Sequence, residues 1–354
     1  MKKIILTGGG TAGHVTPNIA LMPALKEAGY DITYIGSYKG MEKGLIEATG
    51  TKYYGISSGK LRRYFDLKNF SDPFRVAWGF VEAMGLMIRI RPNVVFSKGG
   101  FVSVPVVLAA KVCGVPAIIH ESDITPGLAN RIAIKGAKKV CCNFPETLKY
   151  LPSSKAVLTG SPIRQELFNG DPDRARSFCG FEADGKPVLL IIGGSLGSVK
   201  VNTAVRGVLD DLLPQFNIIH LCGKGNLDES LVGRKGYVQF EYISEELPDL
   251  FALADMAISR AGANAICELL ALHKPNLLIP LSAGSRGDQV LNANSFKAQG
   301  FSYVLDEETL TPEILLAGVK EVYDNRDTYH QAMTESGQMD SIGTIVDMLN
   351  KAAK

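Results

Sequence analysis

The sequence predicts an α/β protein made of two similar units, each a parallel sheet covered by helices. Three observations point there. Short apolar runs alternate with helical segments along most of the chain, which is how strands buried on both faces read. Two of those runs, 3–7 and 187–192, end in glycine-rich turns: Gly8-Gly9-Gly10-Thr11-Ala12-Gly13 and Gly193-Gly194-Ser195-Leu196-Gly197-Ser198. The turns lie about half a chain apart, so the series starts twice, and 354 residues is a length suited to two ordinary domains.

In the first unit, residues 3–7 form the opening strand. Pro17 suits the first turn of a helix that runs to about Ala28 and stops at Gly29. Residues 31–36 read as the next strand, 93–97 as another after the Arg91-Pro92 break, then 115–120, and 139–142 closes the series. The second unit opens with 187–192 and continues with strands at 217–221, 237–240, 256–259 and 276–279. A hinge is expected in 159–164 or in the polar segment 169–186.

Composition excludes several classes. Hydrophobic residues at 46% and charged residues at 21% describe a soluble globular chain. Thirty-eight basic against 36 acidic residues, a net charge of +2, argues against a general nucleic-acid binder. The apolar run after Met1-Lys2-Lys3 is too brief for a signal peptide, so the expected location is the cytoplasm. The longest apolar stretch, 101–119, is interrupted by Pro105, Lys111 and Pro116 and does not read as a transmembrane helix. Six cysteines without a C-x-x-C pair and five scattered histidines support neither a disulfide framework nor a zinc site.

A glycine turn that opens a helix lets backbone N–H groups converge on an anion, aided by the positive end of the helix dipole. Residues 8–13 fit G-x-G-x-x-G, so an NAD(P)-binding oxidoreductase is one alternative. That alternative requires a carboxylate at the end of the second strand, where Gly36-Ser37-Tyr38 stands, with no acid before Glu42. The second loop pairs its glycines with Ser195, whose hydroxyl can donate to a phosphate. Lys200 comes too late for a P-loop. Residues 259–268 follow a strand and open a helix with small residues. Glu268, about two turns in, is placed either to accept from both hydroxyls of a ribose or to sit as a solvated or capping carboxylate.

Taken together, Gly9-Gly10-Thr11-Ala12-Gly13-His14, Gly99-Gly100-Phe101-Val102-Ser103-Val104-Pro105, His120-Glu121, Gly193-Gly194-Ser195, Arg260-Ala261-Gly262-Ala263 with Glu268, and Asp288-Gln289-Val290-Leu291-Asn292-Ala293 resemble the MurG family over nearly the whole chain. The resemblance implies a GT-B glycosyltransferase, with two facing Rossmann-like domains and a cleft between them. It places an acceptor and membrane-side domain at 1–162, joined by a C-terminal helix at 341–354, and a donor domain at 163–340. The implied reaction is inverting transfer of N-acetylglucosamine from UDP-N-acetylglucosamine to the 4-hydroxyl of the muramoyl sugar of polyprenyl-linked lipid I, giving lipid II. A different GT-B enzyme, such as a diacylglycerol glycosyltransferase, is the nearest alternative.

Residue by residue, the resemblance implies that Thr11, Ala12 and Gly13 line the sugar–diphosphate. Arg164 and Ser195 would hold the donor phosphates, the Ile243 backbone would meet the uracil edge, Glu268 the ribose diol and Gln289 the transferred sugar. Where relatives often read His-Glu-Gln-Asn, this chain has His120-Glu121-Ser122-Asp123, so no amide contact is carried over to Asp123. His14, at the mouth of the first loop with a side chain that titrates near neutrality, is the first candidate for the base. A hydrogen bond to phosphate or a helix cap is its structural alternative, and Glu121 is the reserve base. No cofactor is expected, no D-x-D motif or histidine cluster suggests a metal site, and magnesium would give only electrostatic help.

A polyprenyl acceptor requires docking, and the expectation is a peripheral protein on the inner face of the bacterial membrane. Lys60, Arg62, Arg63, Lys68 and Arg75 lie before and within the apolar segment 70–90, which carries Phe74 and Trp78. Basic residues beside an apolar helix suit an anionic lipid surface, and a core helix with a solvated basic edge is the alternative.

Overall fold

The computed structural model describes residues 1–59, 68–194, 197–282, 287–337 and 340–354, with only the backbone described for 68–73. The chain divides into two compact units, Met1–Arg164 with Met339–Lys354, and Gln165–Gln338.

The first unit runs β1 (Lys2–Thr7), α1 (Thr16–Glu27), β2 (Tyr30–Ser37), α2 (Met41–Glu47), β3 (Lys52–Ile56), α3 (Lys68–Ile90), β4 (Val94–Ser97), α4 (Ser103–Val112), β5 (Ala117–Glu121), α5 (Leu128–Ala133), β6 (Lys139–Cys142) and β7 (Ala156–Leu158). Among the described residues these strands form one seven-stranded sheet of order β3-β2-β1-β4-β5-β6-β7, and every pairing is parallel. Order reverses between β1 and β4, so the loops that follow those two strands border a switch point, where α/β sheets bind ligands. Ile4, Leu6, Val94 and Phe96 are wholly buried on one face and Ile5, Val95 and Ile119 on the other.

The second unit runs α6 (Pro172–Cys179), β8 (Val188–Ile192), α7 (Val199–Gly207), α8 (Leu209–Leu212), β9 (Asn217–Leu221), β10 (Tyr237–Phe240), α9 (Leu247–Leu253), β11 (Met256–Ser259), α10 (Ala263–Ala271), β12 (Asn276–Leu278), α11 (Asp288–Ala298), β13 (Tyr303–Val304), α12 (Pro312–Asp324) and α13 (Arg326–Glu335). Its sheet has six strands among the described residues, in the order β10-β9-β8-β11-β12-β13, and its switch point lies between β8 and β11. The last helix, α14 (Ser341–Ala352), belongs to the first unit. It buries Ile345, Val346, Leu349 and Ala352 against the α1 side of the sheet, and the Tyr30 hydroxyl donates to Asn350 Oδ1 at 3.0 Å.

Three strands lie outside the expected series: β3, β7 and β13. In particular, β6 does not close the first sheet, because β7 pairs beyond it. Each of the three is an edge strand. An edge strand carries little of the continuous apolar signal by which the inner strands are read, and β7 and β13 are only half-buried.

Candidate active site

Around the first switch point, two glycine loops meet main chain to main chain. Gly100 has φ +85°, and a Cβ placed there would stand 2.2 Å from the Gly9 carbonyl oxygen. Only glycine permits both the dihedral and the approach. Thr11, Ala12, Gly13 and His14 follow on this loop, the last three as a single 3-10 turn, with Thr11 and Ala12 exposed. Thr11 Oγ1 and His14 Nδ1 are hydrogen-bonded at 3.0 Å, so the imidazole is held by its Nδ1 side. A Cβ on Gly99 would lie 3.5 Å from His14 Cδ2, which puts the β4 loop beside the ring.

Beneath these loops the polar side chains are buried and paired. Lys98, fully buried, donates from Nζ to His120 Nδ1 and to Ser122 Oγ, both at 2.7 Å. Burial and then the Lys98 cation hold the His120 pKa well below its ordinary value. With Nδ1 accepting from an ammonium, the proton is on Nε2, which donates to the Gly160 carbonyl at 2.9 Å. That bond ties the end of the first unit to β5, four residues before Arg164.

Glu121 does not fit the role of reserve base. Its carboxylate is buried and accepts from Asp123 N at 3.1 Å, Gly127 N at 3.0 Å and Asn130 Nδ2 at 2.9 Å. Burial raises its pKa, with the Asn130 hydrogen bond opposing. It organises the turn that leads into α5.

Glu42 is the residue that sequence reasoning passed over. It is buried, and its carboxylate turns back onto the first glycine loop, accepting from Gly10 N at 3.3 Å, Ser37 N at 3.0 Å and Ser37 Oγ at 2.5 Å. A Cβ on Gly9, Gly36 or Gly40 would press on it at 2.9 Å or closer. Burial alone would push the Glu42 carboxyl upward, but the hydrogen bonds from the Ser37 hydroxyl and amide and from Gly10 outweigh it and hold the pKa below the usual range. An anion of the protein itself therefore takes the Gly10 amide. A carboxylate so engaged is not free to hold a ribose diol, and the oxidoreductase alternative is not favoured.

In the second unit, the candidates lie in the segments that follow β8, β10, β11 and β12. Gly193 and Gly194 follow β8, and α7 starts after the Ser198 cap, whose Oγ accepts from Val201 N at 3.2 Å. Ser195 lies outside the described residues. Ile243 sits in the loop after β10, half-buried beside exposed Tyr242. Gly262 caps α10, on which Glu268 is half-buried. Gln289 is in the first turn of α11, and its Oε1 accepts from Leu281 N at 3.0 Å, so that oxygen already serves the loop after β12. Arg164 is the last residue of the first unit and is half-buried. Among the described residues, no group of three or more His, Cys, Asp or Glu side chains is placed to hold a metal ion.

On α3, Phe74 is 79% exposed and Trp78 60%, and Val81 and Ile88 continue the same stripe at helical spacing. Ala83 and Met87 bury the opposite face, and a Cβ on Gly79 would meet the Ser57 carbonyl at 2.0 Å. Arg75 is exposed. Lys60, Arg62 and Arg63, together with the Lys68 side chain, fall outside the described residues. No helix among the described residues is long and apolar enough to cross a membrane.

Comparison with known proteins covers both units. Family models described as the glycosyltransferase family 28 N-terminal and C-terminal domains match residues 4–142 and 188–346. A protein of Lachnospira eligens named UDP-N-acetylglucosamine--N-acetylmuramyl-(pentapeptide) pyrophosphoryl-undecaprenol N-acetylglucosamine transferase is 64% identical, with 100% of each chain covered. Its namesake from Lachnoclostridium phytofermentans is 64% identical over 99% of each chain. Among solved structures, MurG of Acinetobacter baumannii matches with a TM-score of 0.78 at 26% identity, covering 99% of this chain and 100% of that one. A putative UDP-N-acetylglucosamine 2-epimerase of Listeria monocytogenes, with a TM-score of 0.69 at 12% identity and coverage of 98% and 95%, shares the fold alone.

Proposed function

The chain belongs to the MurG family of the family 28 glycosyltransferases, and from that membership we propose how its residues carry out the family's reaction. The reaction is transfer of N-acetylglucosamine from UDP-N-acetylglucosamine to the muramoyl 4-hydroxyl of lipid I, giving lipid II. The observation that supports the residue assignments is that Gly193-Gly194 and Gly262 follow β8 and β11, the two strands at the switch point of the second sheet, with Glu268 on α10 and Gln289 at the start of α11.

UDP lies along that edge. Its diphosphate meets the main-chain amides at the starts of α7 and α10, with Ser195 and Arg164 as further donors. Glu268 accepts from both ribose hydroxyls, the Ile243 backbone meets the uracil, and Gln289 uses its amide nitrogen on the sugar. In the first unit, Thr11, Ala12 and Gly13 line the sugar–diphosphate. The Thr11 hydroxyl holds the His14 ring at Nδ1, and His14 Nε2 serves as the base.

The inverting step is a single in-line displacement. The acceptor 4-oxygen forms a bond to the anomeric carbon as the bond from that carbon to the UDP oxygen breaks. The hydroxyl proton passes to His14 Nε2, and UDP departs with the bonding pair as its terminal phosphate charge. Fixed amides aimed at that charge stabilise it without rearrangement. Added magnesium acts only as an electrostatic aid in this scheme.

The exposed stripe of Phe74 and Trp78 with Arg75 beside it supports docking on an anionic membrane surface at the cytoplasmic face, where the polyprenyl tail of the acceptor is held. The test of the whole reading is transfer of labelled N-acetylglucosamine to a short-chain lipid I analogue. Product is expected with the wild-type protein. Glu268→Ala is expected to raise the donor KM at least tenfold, the tenfold step being about 1.4 kcal/mol of lost binding. Transfer to diacylglycerol but not to the lipid I analogue would overturn it.

A further inference from the structure

One guanidinium in the second unit ties together the loops after four strands. Arg260 follows β11, and its own N–H donates to the Ile192 carbonyl at the end of β8 at 3.4 Å. From its side chain, Nη1 donates to the Ile279 carbonyl after β12 at 3.0 Å. Nη2 donates to Ser198 Oγ, the α7 cap, at 2.5 Å, and to Glu307 Oε1 in the loop after β13. The Glu307 carboxylate continues the chain of contacts, because Oε2 accepts from Ser282 N at 3.2 Å. Lys200 Nζ, in the first turn of α7, donates to the Glu308 carbonyl at 3.0 Å, so the same loop is tied to α7 twice. The Arg260 and Glu307 side chains are only 12% and 11% exposed, which keeps water from competing with the pair.

These bonds act on the segments that the proposed function assigns to the donor. Ser198 fixes the start of α7, where the diphosphate is read. Ile279 and Ser282 flank Leu281, whose N–H is the partner of Gln289 Oε1. Without the Glu307 charge, the buried guanidinium would lose its only ion-pair partner among the described residues, and Ser282 N would lose its acceptor. Each loop would then sample other arrangements.

We propose that Glu307, acting through Arg260 and Ser282, is a positioning residue that holds the α7 start and the segment 279–282, which meets Gln289, in the one arrangement that grips UDP-N-acetylglucosamine. This rests on the donor site assigned above. It predicts a defect confined to the donor, because each contact of the network named above joins residues of the second unit.

The test is steady-state transfer by the full-length protein with UDP-N-acetylglucosamine and a short-chain lipid I analogue, comparing Glu307→Ala, Glu307→Gln and Glu307→Asp, with thermal unfolding measured on each. The donor KM and the UDP inhibition constant are expected to rise about tenfold in Glu307→Ala, the effect of one lost charge-assisted bond. The rise should be similar in Glu307→Gln, whose NH2 would oppose Ser282 N, and should be largely reversed in Glu307→Asp. The acceptor KM should not move. A merely structural role would lower the thermal midpoint and the active fraction while leaving the donor KM of the folded enzyme unchanged, and that result would overturn the proposal. If Glu307→Ala does not fold, Glu307→Gln decides by the same criterion. A wild-type protein with no saturable dependence on UDP-N-acetylglucosamine would instead refute the donor site itself.

Discussion

His14 is held from one side by a threonine three residues earlier. In the proposed mechanism Nδ1 stays on Thr11 Oγ1 and Nε2 takes the proton of the acceptor hydroxyl. His14→Ala should lower kcat by about 10²–10⁴, the usual contribution of a general base, with little change in donor KM. Thr11→Val should lower kcat less, because the imidazole loses the hydroxyl that holds its Nδ1 side. Glu42 calls for a stability measurement. Its folded-state pKa is depressed, so its contribution is fully present above the ordinary glutamate value, about 4.3, and is lost as pH falls through the lower folded value. Glu42→Gln should cost on the order of 1–3 kcal/mol at pH 7 by leaving buried donors without a good acceptor. The difference from wild type should shrink in urea unfolding below pH 4. The glycines and His14 were legible because their spacing is local. Glu42 was not, because the amides it serves lie on another loop and the spacing to β2 suggested only a missing ribose acid.

Among the elements, α3 divides most clearly into two faces. Ala83 and Met87 are buried, and Phe74, Trp78, Val81 and Ile88 are not. Sequence alone left core and membrane readings open, since a long apolar helix serves both. The exposure of one stripe is why docking is proposed for it. Phe74→Ser with Trp78→Ser should release the protein from anionic vesicles in a flotation assay. It should also reduce turnover more with vesicle-bound lipid I than with a short-chain analogue. Unchanged flotation would exclude the stripe as the docking face. The inner strands were readable as apolar runs before glycine turns, whereas β3, β7 and β13 were not. An edge position removes one neighbour and with it the selection for a continuous apolar run.

At the scale of the whole molecule, each unit is a parallel sheet with its own switch point, and the end of the chain helps build the first. Deleting residues 340–354 would uncover the surface that Ile345, Val346 and Leu349 now bury. At roughly 1.5–3 kcal/mol for each large side chain, the loss should be on the order of 5 kcal/mol, visible as early unfolding of the first unit. The repeat of glycine turn and helix start was legible in the sequence. The guanidinium network of Arg260 and Glu307 was not, because it joins residues 47 positions apart that share no motif. The central claim is that main-chain amides at the second switch point hold the diphosphate of a uridine nucleotide. Titrating UDP into protein labelled with ¹⁵N-glycine tests it most directly. The account predicts saturable shifts of the Gly193, Gly194 and Gly262 amides and no response to NAD; shifts confined to Gly8, Gly9 and Gly10, or none at all, would contradict it.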